Sequence, residues 1–286
     1  MIRKNLIVSA IGILCTLGTA HCVAQPFIDL VNIQYVNSPS HGVSNEKKNV
    51  TSLQNFSIQT TIPIQFKNKT DAIIISPAFE IWSPKVETIN EDFEHQYGLA
   101  LPVAYLKTLH NPDWSIFSMV VVRRNGYKLD LDNNWQVAGA MIANFKVHEN
   151  LTYKFGVYAS GEFFGLFIRP LLGIDWQINK KTSVYGILPG SMNLEHKLKT
   201  NLYAGASFKA ITSSYRTPDG YWRLDENRLG VFLDYYLTKH IAINMEAGHS
   251  ILRKMRSAQE DMPDVDWNAS DNLYGKLGLA YRLRFR

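Results

Sequence analysis

Both cysteines of the 286-residue chain, Cys15 and Cys22, fall near its start, so everything downstream lacks a thiol for a disulfide, a redox couple or a thiolate metal site. Charge is scarce as well. Only 19% of the residues are Asp, Glu, Lys or Arg, against 46% hydrophobic and 12% aromatic, a balance too apolar for a disordered chain. The formal net charge of +5 falls to +3 when Arg3 and Lys4 are removed with the leader described below, which is too little to hold a nucleic acid. After Ala24 there is no run of roughly 18 apolar residues that could make a spanning helix. Helical periodicity is nearly absent.

What is present begins with Arg3-Lys4, an apolar stretch from Leu6 to Ala20, and Cys22-Val23-Ala24. These are the charged region, apolar region and small-residue cleavage site of a secretory signal. Residues 1–24 are expected to be removed, leaving residues 25–286 as a single domain. A lipid anchor on Cys22 is disfavoured, because the bulky His21 stands where lipoprotein processing wants a small residue.

The mature chain alternates with period 2 over segments of about ten residues, as strands with one lipid face and one lumen face do. Phe56, Ile58, Thr60, Ile62, Ile64 and Phe66 oppose Ser57, Gln59, Thr61 and Gln65. Trp135, Val137, Gly139, Met141, Ala143, Phe145 and Val147 oppose Gln136, Asn144 and Lys146. Leu166, Ile168, Leu172, Ile174, Trp176 and Ile178 oppose Arg169, Asp175 and Gln177. The pattern returns over Leu229–Leu237 with Asp234 inward, and over Ile241–Ile251 with Asn244 and Glu246 inward. Trp114–Val122 and Ala72–Trp82 are apolar on both faces, and their orientation stays open.

Connections fall into two alternating classes. Lys67–Thr70, His148–Asn150, Asn179–Lys181, Lys199–Asn201 and Thr238–His240 are short and polar. Ser38–Asn49, Ser83–Glu94, Arg123–Asn133, Ser213–Asp225 and Arg253–Asp271 are long. Short turns on one side and long loops on the other characterise outer-membrane barrels. The expected fold is all-β: a closed antiparallel transmembrane β-barrel of 12–14 strands, with short periplasmic turns and longer extracellular loops, in the outer membrane of a Gram-negative bacterium. Fourteen strands follow if Thr182–Leu188 and Ser191–Leu198 form a hairpin about Pro189-Gly190, and twelve if that segment is one irregular strand; fourteen suits the alternation better. The alternative is a soluble periplasmic all-β fold, which also alternates with period 2.

Phe66, Tyr105, Trp114, Phe145, Tyr153, Trp176, Tyr235 and Phe285 fall near the periplasmic strand ends, where aromatic rings prefer the headgroup boundary. At the C-terminus Lys276, Gly278, Tyr281 and Leu283, running on to Phe285, resemble the signal that bacterial outer-membrane barrels present to their insertion machinery. This strand must close the sheet, because an open edge in hydrocarbon leaves backbone groups unsatisfied.

Ile187-Leu188-Pro189-Gly190, Leu194-Glu195-His196-Lys197-Leu198, Gly205-Ala206-Ser207-Phe208-Lys209, Arg228-Leu229-Gly230-Val231-Phe232 and Glu246-Ala247-Gly248-His249-Ser250 occur in this order. With them the chain resembles the uncharacterised, domain-of-unknown-function family of outer-membrane β-barrel proteins of Bacteroidota. The resemblance covers most of the mature chain and implies fold and location. It carries no activity.

Outer-membrane lipid hydrolases place His and Ser two apart on one strand, so that both reach the same face. This chain has no His-x-Ser, and the adjacent His249 and Ser250 must point to opposite faces. No catalytic residue is assigned and the chain is read as a non-enzyme. Asp264, Asp266 and Asn268 mimic the start of a calcium loop, but Ala269 replaces its glycine and Gly275 its closing glutamate. Asp130, Asp132 and Asn134 fail similarly, with Met141 at the closing position. Glu260, Asp261, Asp264 and Asp266 could share cations with anionic lipid heads, although solvated loop charge is the plainer reading. No metal and no cofactor is expected.

The lumen is the remaining candidate. Lys146, Lys154, Arg169, Lys209, Arg228, Lys276, Arg282 and Arg284 have inward parity, against Asp175, Asp234 and Glu246. Such groups either line a wet pore with a mild anion preference or pair across the lumen and plug it. The expectation is a monomeric barrel giving passive or weakly selective passage to small solutes. The alternatives are a non-conducting barrel acting structurally or binding surface partners through its loops and, in third place, a lipid hydrolase. Expected partners are outer-membrane lipids, lipopolysaccharide and the barrel insertion machinery.

Overall fold

The computed structural model describes residues 26–39, 50–68, 70–86, 95–130, 132–259, 265–267 and 269–285. The expected leader with Cys15 and Cys22, and parts of five connections including Glu260, Asp261, Asp264 and Asn268, lie outside the described residues. Among the described residues there is no helix.

The strands are β1 (Phe27–Pro39), β2 (Val50–Thr60), β3 (Ile62–Gln65), β4 (Ala72–Ile75), β5 (Ala78–Val86), β6 (Gln96–Thr108), β7 (Trp114–Gly126), β8 (Trp135–His148), β9 (Leu151–Glu162) and β10 (Gly165–Gln177). They continue with β11 (Thr182–Leu188), β12 (Ser191–Lys199), β13 (Leu202–Thr217), β14 (Gly220–Tyr236), β15 (Ile241–Gln259), β16 (Val265–Trp267) and β17 (Leu273–Arg284). All belong to one sheet. β2 and β3 form one wall strand broken at Thr61, β4 and β5 one broken at Ser76-Pro77, and β16 is a short addition to β15. Fourteen wall strands result. β17 closes on β1 from Phe27↔Arg284 to Asn37↔Gly275. Closure satisfies the backbone groups that an edge would leave bare in hydrocarbon. With strands about 4.8 Å apart and tilted about 40°, fourteen give a cylinder roughly 28 Å across.

The outer face is apolar. Val137, Met141, Val157, Ile168, Leu172, Leu229, Val231 and Leu277 are exposed, while their neighbours Gln136, Ala138, Leu171, Arg228 and Phe232 are buried on the inner face. The two segments whose orientation the sequence left open are resolved. Val120 and Val122 face out with Val121 buried behind them, and Trp82 faces in, with 2% exposure. Phe66, Tyr105, Tyr153, Trp176, Tyr235 and Phe285 are exposed at the periplasmic ends of their strands, and Trp114 stacks on Phe145 at 4.6 Å. Aromatic rings thus ring the periplasmic edge of the belt.

The extracellular side departs from the expected long loops. Ser213–Asp225 is strand, joined by a tight turn at Pro218-Asp219, and β15 runs on to Gln259. Polar, turn-prone residues such as Ser213-Ser214 conceal strand character when both faces find partners inside the protein.

Candidate functional site: the barrel lumen

The upper parts of β13, β14 and β15 leave the wall together. β12 pairs with β13 no higher than Ser191↔Lys209, and β17 pairs with β15 no higher than His249↔Leu273. Above those points the three strands are hydrogen-bonded to one another and to β16. The departure is marked by a bulge. Between Asp225↔Lys254 and Asn227↔Ile251, Glu226 faces two residues, Leu252 and Arg253, and such an extra residue bends a strand. Leu252 takes a φ of 54°, and the Asp271 carboxylate accepts hydrogen bonds from the Leu252 and Arg253 amides at 3.0 and 2.8 Å.

This flap crosses the mouth. Its β13 edge meets β7, six wall strands away, through the Arg216↔Gly126 bridge and a 3.0 Å hydrogen bond from the Tyr127 amide to the Arg216 carbonyl. The side chains show that the flap lies inside the barrel. Ser214, of outward parity, is fully buried against the inner wall of β7–β9: Gln136 donates to its Oγ at 2.8 Å, the Phe163 amide donates to it at 3.1 Å, and it donates to Glu162 at 2.7 Å. Glu162 also accepts from Arg123, Gln136 and Ser160 at 2.5, 2.9 and 2.6 Å. Arg216 lies over Phe163 and Arg223 over Phe164, at 4.8 and 3.9 Å.

The opposite face of the flap carries Tyr215, Trp222, Leu224 and Met255, which pack with Val50, Leu53, Trp82 and Ala269 in one buried cluster. The Tyr215 hydroxyl donates to Glu80 on β5 at 2.6 Å. The indole N–H groups of Trp82 and Trp222 and the Gln96 amide are buried without a hydrogen-bond partner among the described residues. Each such group costs about 1–3 kcal/mol relative to its hydrated state.

Below the flap, most inward charges are paired. Arg228 and Arg253 both bind Glu226 at 2.6 Å, Lys154 binds Asp175 at 2.5 Å, and Lys276 pairs with Glu246. Arg282 holds Asp29 at 2.5 Å and also binds Asp234, to which Asn244 donates. Arg284 spans from β17 to β12 in a bidentate contact with Glu195, both bonds 2.8 Å, and lies over Tyr203 at 3.7 Å. Sequence reasoning proposed Lys154, Asp175, Arg228, Asp234, Glu246, Lys276, Arg282 and Arg284; the structure adds Asp29, Glu80, Arg123, Glu162, Glu195, Glu226 and Arg253. Arg123 and Arg253 lie on stretches read as loop, and Glu195 lay in a segment whose strand count was open.

Lys146, Arg169 and Lys209 stand apart, on inner-face positions and with no ion pair among the described residues. Lys146 is half-buried near the periplasmic end of β8, whereas Arg169 and Lys209 are exposed. β11 and β12, only 7 and 9 residues long, make the lowest stretch of wall. Arg169 lies on β10 above the topmost β11 pairing, Leu172↔Leu188. Lys209 lies on β13 at the topmost β12 pairing. The two unpaired cations therefore flank a notch in the rim.

His249 and Ser250 do lie on opposite faces: His249 is exposed and its Nδ1 approaches the Ser250 carbonyl at 2.6 Å, while Ser250 is fully buried. Asp266 pairs with Arg256 at 2.8 Å, and the Asn134 side chain is engaged by Lys128 and Arg124. On the closing strand Tyr281 and Phe285 point outward and Lys276, Gly278 and Arg282 inward, with Leu283 partly buried.

A closed barrel with an apolar, aromatic-edged exterior is the form in which strands cross the outer membrane of Gram-negative bacteria, and this chain is such an outer-membrane barrel. Among solved structures it is similar to the NanC porin (9% identity over 88% of this chain and 100% of that one, TM-score 0.42). An outer membrane channel (COG4313) from Pseudomonas putida F1 is similar at 9% identity over 88% and 94% of the chains, TM-score 0.46. Outer membrane phospholipase A from Escherichia coli is similar at 12% identity over 89% and 94%, TM-score 0.37. These relatives include channels and an enzyme, so the likeness extends to architecture alone. No curated protein matches the sequence. The profile of one family, described as "Domain of unknown function (DUF6268)", matches residues 20–282, and the chain belongs to that family.

Proposed function

We propose that the barrel is a passive, weakly anion-preferring route for small solutes across the outer membrane. The observation that carries this reading is the pair of inner-face cations without an ion pair among the described residues, Arg169 and Lys209, beside the notch above β11 and β12. Lys146 offers a third unpaired cation at the periplasmic end. An unpaired charge on the inner face of a barrel wall is stable only where water reaches it, and a ring of like charge in a pore favours counter-ions. The paired groups brace the wall and contribute little net field.

Planar-bilayer recording of refolded protein under a salt gradient tests the reading. The reversal potential of the native protein is expected to favour anions, and Arg169→Glu with Lys209→Glu is expected to move it toward cations. No conductance from correctly folded protein would overturn the proposal. A second reading, a non-conducting barrel with a structural or surface-binding role, draws support from the flap across the mouth. Water-soluble thiol labelling of cysteines placed at Asn144 and Lys154 separates the two, since a sealed lumen protects both positions.

A further inference from the structure

We infer that the flap is a hinged plug which swings out of the mouth, pivoting where β13, β14 and β15 leave the wall. The inference deepens the transport reading and rests on it for its consequence, since it identifies what admits solute to the lumen.

Three features of the flap point the same way. Its ladders with the adjacent wall strands end together, β12 stopping at Lys209 and β17 at His249, so above that level neither neighbour continues the wall beside it. The Glu226 bulge and the left-handed Leu252 lie at that level, giving a local bend that can change without disturbing the wall below. Finally, the two docked faces differ. The face on β7–β9 is polar, with Glu162 and Ser214 at the centre of a hydrogen-bond network. The face on β2 and β5 buries the Trp82 and Trp222 indole N–H groups without partners among the described residues. Docking thus gains apolar burial and leaves polar groups unmet that water would satisfy once the flap lifts. Lifting the flap would therefore exchange apolar burial for hydration of those groups. The outward-parity side chains of the flap are also polar, Thr212, Ser214, Arg216, Arg223 and Asp225, and suit exposure to water in a raised position.

The absence of cysteine from the mature chain makes a lock straightforward. A Cβ built on Gly126 lies 3.5 Å from the Cβ of Arg216, within the range that a disulfide spans. The double variant Gly126→Cys/Arg216→Cys is expected to oxidise and to tether the flap to β7. Contacts of 3.1 and 3.2 Å from that Cβ to the Arg216 and Lys128 carbonyls call for small adjustments, so each single variant is first checked for heat-modifiable gel migration. The probe is Ser213→Cys, which is nearly isosteric and buried on the docked flap itself, reacted in lipid vesicles with a membrane-impermeant thiol reagent.

In the reduced protein the probe is expected to label to completion. In the oxidised protein labelling should slow by about tenfold or more, as for an opening that has been blocked, and recover on reduction. Ser214→Ala, which removes three hydrogen bonds from the polar face, should speed it. Equal labelling rates in the locked and reduced proteins would overturn the inference, as would failure of the pair to oxidise. Conductance read on the same samples separates this proposal from the transport reading. Lock-sensitive labelling with no current in either state supports the moving flap and sinks transport. Current that the lock leaves unchanged sinks the plug and leaves transport standing.

Discussion

At the scale of single residues, the inward charges of this barrel divide by whether a partner was within reach. Arg282 and Arg284 use planar guanidinium groups to bind Asp29, Asp234 and Glu195 from three other strands. Buried charges are tolerated on such terms, because removing one partner strands the other. Lys209 and Arg169 have no such partner among the described residues. Outside the membrane, in the turn between β3 and β4, Asp71 accepts from Lys107 at 2.7 Å and from the Thr108 amide at 3.1 Å. Those bonds, Lys107 first, hold its carboxyl well below the usual carboxylate range. A carboxyl depressed in the folded state stabilises the fold above its ordinary pKa of 3.8, and that contribution is lost as pH falls toward the folded value. Asp71→Asn is therefore expected to reduce the slope of unfolding midpoint against pH below about pH 4, read by denaturant titration in detergent. An unchanged slope would show that the pair contributes nothing.

At the scale of elements, β17 has to do two things. It pairs with β15 and with β1, so the cylinder closes only when it is in place. Its outward Tyr281 and its end at Phe285 are also the residues that resemble an insertion signal. Replacing Tyr281, Leu283 and Phe285 with alanine is expected to lower the heat-modifiable, outer-membrane fraction several-fold, while Lys239→Asp in a periplasmic turn should leave it unchanged. Equal assembly of the two variants would remove any special role for this strand. The flap was legible only in part. The alternation of Leu229–Leu237 and Ile241–Ile251 marks the wall portions of β14 and β15, because there one face meets lipid and the other the lumen. Above Glu226 the alternation runs on, Trp222 and Leu224 against Arg223 and Asp225, but its polar face meets protein, and Ser213-Ser214-Tyr215, all buried, reads as loop. The polar, turn-prone Ser213-Ser214 and Pro218-Asp219-Gly220 outweigh that short alternation in a local reading.

At the scale of the whole molecule, the exterior belt makes its own prediction. Val231 is 66% exposed, in the wall portion of β14. Val231→Arg is expected to cost about 2–4 kcal/mol if that position lies at the bilayer midplane, measured by reversible unfolding in lipid vesicles. A cost near zero would mean that water, not lipid, covers this face. The belt, its aromatic edge, the short periplasmic turns and the count of fourteen strands follow from period-2 polarity and turn composition, which are local properties of the chain. Which inward charges neutralise one another, and whether the mouth stands open, depend on approaches between strands far apart in sequence, such as Arg284 to Glu195 and Arg216 to Gly126. A strand's pattern records which of its faces meets lipid, because that environment repeats every second residue. It holds no record of what stands across the lumen, and so the sequence by itself determined a membrane cylinder, while only the folded cylinder decided that its own flap would cross it.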